Sequence, residues 1–300
     1  MTDFRSLCMK NLNVKWLYLL ILSIIWGSSF ILIKKSLLGL TPYQLGALRT
    51  IVTGLLLFIA GYKSLKNITK KQWKWIAISG FLGSFFPAFL FAIAETEIDS
   101  AVASILNSLV PLNTILLGFA VFKIASTKRQ VLGVIIGFIG TAILIFKGSE
   151  LNPHQNYLYA GFVIASTIMY ACNVNIIKRY LQDVRPLSIA TGNYVFIVLP
   201  ALVILLFTDF FTQERLSHPE LKTSLLYVLI LSLFGTALAK VLFNKLVHIS
   251  TPVFASSVTY VMPIVALVWG VLDGEAFSFI QGVASLLILL GVYLSHKRKT

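Results

Sequence analysis

Arg49 stands seven residues into an apolar stretch that opens at Pro42, about 10 Å along a helix by rise, so its guanidinium must find partners inside that stretch's surroundings. Arginine stays charged and presents a planar fork of donors, which suits a carboxylate by two parallel hydrogen bonds. A plainer role is an anchor that bonds helix-end carbonyls or pairs with Glu95. Lys240 is a second cation inside an apolar run. Its stem can snorkel to a headgroup layer, or its ammonium can face a cavity beside Asn244, one turn along, and meet an anionic group. Amides form the largest set: Asn107, Asn113, Asn173, Asn175 and Asn193 all fall inside apolar stretches. Amides both donate and accept, which suits sugar-like or amino-acid ligands; singly, each can equally serve as a bond between helices. Trp26, Tyr170, Tyr194, Tyr260 and Trp269 can add aromatic walls. This is the chemistry of binding. HExxH, GxSxG, Walker A, CxxC and GxGxxG are missing, so no cofactor, metal or ATP-driven step is expected.

The elements that must position these residues are transmembrane helices. Hydrophobic residues make up 57% of the chain and charged ones 12%, against about 25% charged in soluble proteins. Spans are expected at Trp16–Ile33, Pro42–Tyr62, Trp73–Ala94, Ala101–Phe122 and Gln130–Phe146. Five more are expected at Tyr157–Ile177, Pro186–Phe207, Ser224–Phe243, Pro252–Leu272 and Phe277–Leu294. A β-barrel would show alternating ten-residue segments, and none occur. The formal charge of +14 would suggest nucleic acid in a soluble protein, but the cations gather at span ends, so no nucleic-acid partner is expected. On the N-terminal side they include Lys63, Lys66, Lys70, Lys71, Lys123 and the tail Lys297, Arg298 and Lys299, eighteen in all. The other side holds five: Lys34, Lys35, Lys147, Arg215 and Lys222. Both termini are therefore expected in the cytoplasm, in a multi-pass protein of the cell membrane. The first span is too long for a signal h-region, and Lys34 and Lys35 follow it rather than a cleavage site. Cys8 and Cys172 lack metal or redox spacing.

The chain repeats itself. A shift of 144 residues sets Trp26 on Tyr170, Lys34 on Lys178, Lys35 on Arg179, Pro42 on Pro186 and Arg49 on Asn193. A shift of 152 sets Gly83 on Gly235, Ser84 on Thr236, Pro111 on Pro263 and Gly118 on Gly270. Five spans per unit is an odd number, so the second unit enters the membrane inverted, the arrangement that supports alternating access around a central site. The expected organisation is a segment 1–14, a first repeat 15–148, a linker 149–156, a second repeat 157–295 and a basic tail 296–300. Pro111 and Pro263, inside equivalent spans, are the expected hinges. Gly133, Gly137 and Gly140 give a small-residue face for a close helix contact, within the chain or across a homodimer.

The WGSSF run at Trp26–Phe30, Arg49, and PLNTILLGF at Pro111–Phe119 resemble one repeat of a known family. GTALAKVLFNKL at Gly235–Leu246 and SSVTYVMPIVALVWGVLDGE at Ser256–Glu275 resemble the other. Over roughly residues 15–295 the chain resembles an EamA-type member of the drug/metabolite transporter superfamily. That resemblance implies an all-α bundle of ten transmembrane helices with cytoplasmic termini, mostly exporting small metabolites. Lys240 departs from the pattern, which more often has an aromatic or neutral residue there. The expected function is a secondary transporter of a small polar metabolite, with the lipid bilayer and the substrate as partners and coupling to an ion gradient left open. Multidrug export is a second reading. A membrane-embedded enzyme or lipid-handling protein is a third, with Glu95, Glu97 and Asp99 as its only candidate carboxylates; Glu95 alone could serve proton coupling or sit as a hydrated loop group.

Overall fold

The computed structural model of the protein describes residues 2–66, 68–122, 128–151 and 154–296. Lys123, linker residues 152 and 153, and the tail cations Lys297, Arg298 and Lys299 lie outside the described residues, as does the side chain of Cys8. Among the described residues every regular element is helical. Eight segments are long and apolar enough to cross a bilayer: α1 (Thr2–Ser36, apolar from Val14), α2 (Pro42–Gly61), α3 (Lys70–Ala94) and α4 (Ser100–Asn107 with Val110–Phe122), then α6 (Tyr157–Tyr180), α7 (Pro186–Leu206), α8 (Leu221–Ile249) and α9 (Pro252–Leu272). The apolar parts of α5 (Lys128–Leu151) and α10 (Phe279–His296), Ile135–Lys147 and Phe279–Gly291, are shorter.

Local sequence sets where these helices begin. Thr41 accepts from the Gln44 amide while the Gln44 side chain accepts from Thr41 N–H, with Pro42 at the first helical position. Thr69 and Gln72 repeat the same box at the start of α3. Leu22, Leu45, Leu106, Leu112 and Ile177 are fully buried, whereas Leu20, Ile59, Leu199, Leu206 and Leu286 face outward, as a lipid-contacting rim requires.

Four of the helices are interrupted, and the interruptions fall in equivalent pairs. A π-helical turn interrupts α3 at Phe81–Phe85 and α8 at Leu231–Leu238. A break at Ser108 and Leu109 interrupts α4, and a tight Ser257–Tyr260 turn interrupts α9. Proline explains much of this. Pro87, Pro111 and Pro263 remove the helical donors to the carbonyls of Gly83, Asn107 and Thr259. Lys240 Nζ takes the Gly83 carbonyl at 3.3 Å, and Trp26 Nε1 takes that of the equivalent Gly235 at 2.9 Å. Ser23 Oγ donates to Val258 O at 2.9 Å in the α9 turn. The irregular backbone is thus satisfied by side chains from other helices, as membrane depth demands.

Equivalent helices pack on each other: α5 lies along α10 and α2 along α7. The glycine face of α5 is consumed within the chain. A Cβ on Gly140 would sit 2.9 Å from Ala284 O and Ile288 N, so the two backbones touch there. Because backbone cannot swing aside, Gly140→Ala should cost about 1–3 kcal/mol. It would show as a lowered unfolding midpoint in detergent, while Gly161→Ala, with nothing within 4 Å, leaves the midpoint unchanged.

Candidate functional site

At the centre of the bundle the helices leave a cavity of about 120 Å³. Helices α1–α4 and α6–α9 all contribute to its wall; α5 and α10 do not. Both π-helical turns open onto it, through Gly83 and Ser84 on α3 and Gly235 and Thr236 on α8. A π turn widens the helix and turns consecutive polar groups inward, which is why such turns gather at sites.

Arg49 enters from α2. Its Nε donates to Thr236 Oγ1 at 3.0 Å, and Thr236 Oγ1 donates to Leu231 O at 3.1 Å, across the α8 π turn. It forms no ion pair with Glu95, and its two terminal nitrogens have no protein hydrogen-bond partner among the described residues. Lys240 does not snorkel. It is 7% exposed, lines the cavity, and donates to Gly83 O and Ser84 Oγ. In the amide orientation that satisfies both of its ends, Asn193 donates to Ile189 O at 2.6 Å and accepts from Lys240 Nζ at 3.1 Å.

Of the other expected site residues, Trp26, Asn107, Tyr170, Asn173 and Asn244 reach the cavity wall. Asn244 does not join Lys240: its Nδ2 donates to Pro186 O at 3.1 Å, and its Oδ1 is buried without a partner. Asn107 Oδ1 is likewise unpartnered. Asn113 lies elsewhere, donating to Thr167 Oγ1 at 2.8 Å between α4 and α6. Asn193 sits behind Lys240 rather than on the wall, and Tyr260 is off the wall with its hydroxyl buried and unpartnered. Sequence reasoning passed over Ser29, Ser84, Thr236 and Thr259, because hydroxyls in apolar helices usually bond their own backbone. Ser84 and Thr236 did carry a signal: they are repeat-equivalent hydroxyls beside equivalent glycines.

A second polar cluster closes one end of the bundle. Lys34 Nζ lies 2.8 Å from Glu275 Oε1, 3.7 Å from Asp273 and 3.9 Å from Asp99, while Lys35 pairs with Asp273. Glu275 also accepts from Ser100 N (3.0 Å), Ser100 Oγ (2.6 Å) and Ala101 N (3.1 Å), capping the positive end of α4. Lys178, the repeat partner of Lys34, finds only neutral oxygens: Gln182 Oε1 and the carbonyls of Val247, His248 and Ser250.

Glu95, just past the end of α3, is not a hydrated loop group: it is 5% exposed and both its oxygens are buried without partners. Burial, and then the charge of Glu275, push its carboxyl well above the usual carboxylate value, against the pull of Arg49 and Lys34. The folded state therefore holds a proton that the unfolded state releases, and stability falls as pH rises through the folded value. Glu95→Gln, which mimics the protonated form, should flatten that fall when the unfolding midpoint is followed from about pH 5 to about pH 9.

Comparison with known proteins accords with this architecture. The sequence matches the EamA-like transporter family over residues 14–146 and again over 158–296. It is similar to an uncharacterized transporter, YyaM, of Bacillus subtilis (strain 168), 24% identical over 292 residues that cover 95% of this chain and 93% of that one. It is 27% identical over 281 residues to the inner membrane transporter YedA of Escherichia coli (strain K12), covering 91% and 87% of the two chains. A protein of Salmonella typhimurium (strain LT2) named a probable amino-acid metabolite efflux pump is 25% identical over 287 residues, 92% of each chain. One solved crystal structure shares the fold with a TM-score of 0.65 at 19% identity, over 93% of this chain and 94% of that one. With both halves matched over nearly their full length, the chain belongs to the EamA-like transporter family.

Proposed function

We propose that this transporter-family membrane protein is a secondary transporter that moves a small polar metabolite, an amino acid or a related compound, out of the cell by alternating access. The observation that carries the reading is the central cavity, walled by polar groups from both halves and reached by equivalent π turns. In this reading all ten helices span the membrane as two inverted five-helix repeats with both termini cytoplasmic. The paired irregularities in α3 and α8, and in α4 and α9, support that arrangement, as does the one-sided distribution of Lys and Arg. The Lys34–Glu275 cluster then faces outward and Lys178 inward, and bending at Pro111 and Pro263 lets the halves rock. The name of the Salmonella relative supports export of a metabolite. With no nucleotide-binding loop in the sequence, the substrate's own gradient or an ion gradient supplies the energy. Because the glycine face of α5 is used within the chain, a homodimer would pair through another surface.

The test compares the culture-medium metabolites of cells making the wild type, cells making equal amounts of Arg49→Ala, and cells with an empty vector. Export predicts a compound that accumulates outside wild-type cells alone. Identical media in all three, together with no substrate uptake by purified protein in liposomes, would overturn the transport reading.

A further inference from the structure

The cavity's charges identify the class of its substrate, an inference that rests on the transport reading above. Two basic side chains line the wall, Arg49 and Lys240, and among the described residues no aspartate or glutamate does. Among the described residues neither has a carboxylate within ion-pair distance; the ion pairs belong to Lys34, Lys35, Lys147 and Arg215. Lys240 is held by neutral acceptors alone, Gly83 O, Ser84 Oγ and Asn193 Oδ1. Arg49 spends one donor on Thr236 and keeps its terminal nitrogens free. Glu95 is off the wall and forms no ion pair with either among the described residues.

Two like charges inside a bundle, each without a counter-ion, are costly to hold, and an anion that enters between them removes that cost. Thr236, which fixes Arg49, and Lys240 both stand on α8, four positions apart, so both basic side chains are held to the same part of the cavity wall. Two basic groups on one cavity of about 120 Å³ suit two acidic groups joined by a short carbon chain, one for the guanidinium fork and one for the ammonium. The unpartnered acceptors Asn107 Oδ1 and Asn244 Oδ1 then remain for a hydroxyl or ammonium donor on the same molecule.

We infer that the substrate is a small metabolite with two acidic groups, a short dicarboxylate or an acidic amino acid, and that Arg49 and Lys240 bind one group each.

The test uses the full-length protein in liposomes and three matched probe pairs: succinate with succinamate, aspartate with asparagine, and glutamate with glutamine. Each pair differs only in whether the second group is charged. Wild-type protein should take up at least one diacid about tenfold faster than its amide, the effect of one charge-assisted contact. Lys240→Met should bring that ratio close to one by slowing uptake of the diacid more than that of its amide, a change in ratio that misfolding would not produce. Amides carried as well as diacids would overturn the inference and leave transport standing. So would export by intact cells of a compound that is neutral or cationic. Diacid preference unchanged in Lys240→Met would overturn the assignment of Lys240.

Discussion

Arg49→Ala should lower the initial rate of substrate transport by about 100-fold or more at unchanged expression. Arg49 lines the cavity, and its two terminal nitrogens have no protein hydrogen-bond partner among the described residues. A hydrogen bond to a charged group is worth roughly 1.5–3 kcal/mol, so loss of a two-pronged contact exceeds two factors of ten. Part of any effect could instead arise from the bond to Thr236, which ties α2 to the α8 π turn. Thr236→Val separates the two: it removes that bond and leaves the fork in place. Transport within about tenfold of wild type in Thr236→Val, with Arg49→Ala near background, assigns the loss to substrate contact. Arg49→Lys keeps the charge but not the fork, and should fall between them. A fully active Arg49→Ala protein would remove Arg49 from the site.

Much of this arrangement is legible in the sequence, and the reasons are specific. Length and uniform apolarity mark the spans, since nothing else explains twenty-residue runs that repeat along the whole chain. Arg49 and Lys240 declare themselves because charge at that depth is expensive. The offset that sets Ser84 on Thr236 also sets one π turn on the other, although a π turn itself has no sequence signature. What could not be read is where a polar side chain points. Asn113 and Asn173 lie on neighbouring helices and each takes an interhelical bond, to Thr167 and from Ser79, yet of the two it is Asn173 that also reaches the cavity wall. That difference is a rotation about the helix axis fixed by packing, and Gly83, tight against Asn173, is part of what fixes it. Nor could the position of Glu95 be read, because a residue one step past a helix end is buried or wet according to the loops that fold over it.

Glu275→Ala should open the end of the bundle that the proposed orientation places outside. Glu275 is almost fully buried and at once accepts from Lys34, the Ser100 hydroxyl and the first two amides of α4. It joins three segments far apart in sequence: the end of α1, the start of α4 and the turn between α9 and α10. In the proposed cycle these must separate for the cavity to face outside, so Glu275 stabilises the closed arrangement selectively. Its removal should cost that arrangement about 2–3 kcal/mol and shift the closed-to-open ratio by a factor of roughly 30–150. A cysteine at Ile33, buried on the cavity wall below the cluster, reports this in a protein otherwise free of cysteine. A membrane-impermeant maleimide added outside should label it at least about tenfold faster when Glu275 is alanine. Lys34→Met, which leaves Glu275 capping α4, should have a smaller effect, because the amides keep their acceptor. Equal labelling in all three proteins would show that the cluster does not hold the cavity shut. Lys178→Met at the opposite end breaks bonds to neutral oxygens only, so it should open that end less than Glu275→Ala opens this one. The halves share a framework of helices and turns, but among the described residues Lys34 closes its end on carboxylates and Lys178 does not; in the proposed orientation that inequality should bias the protein towards the state sealed on the outer side.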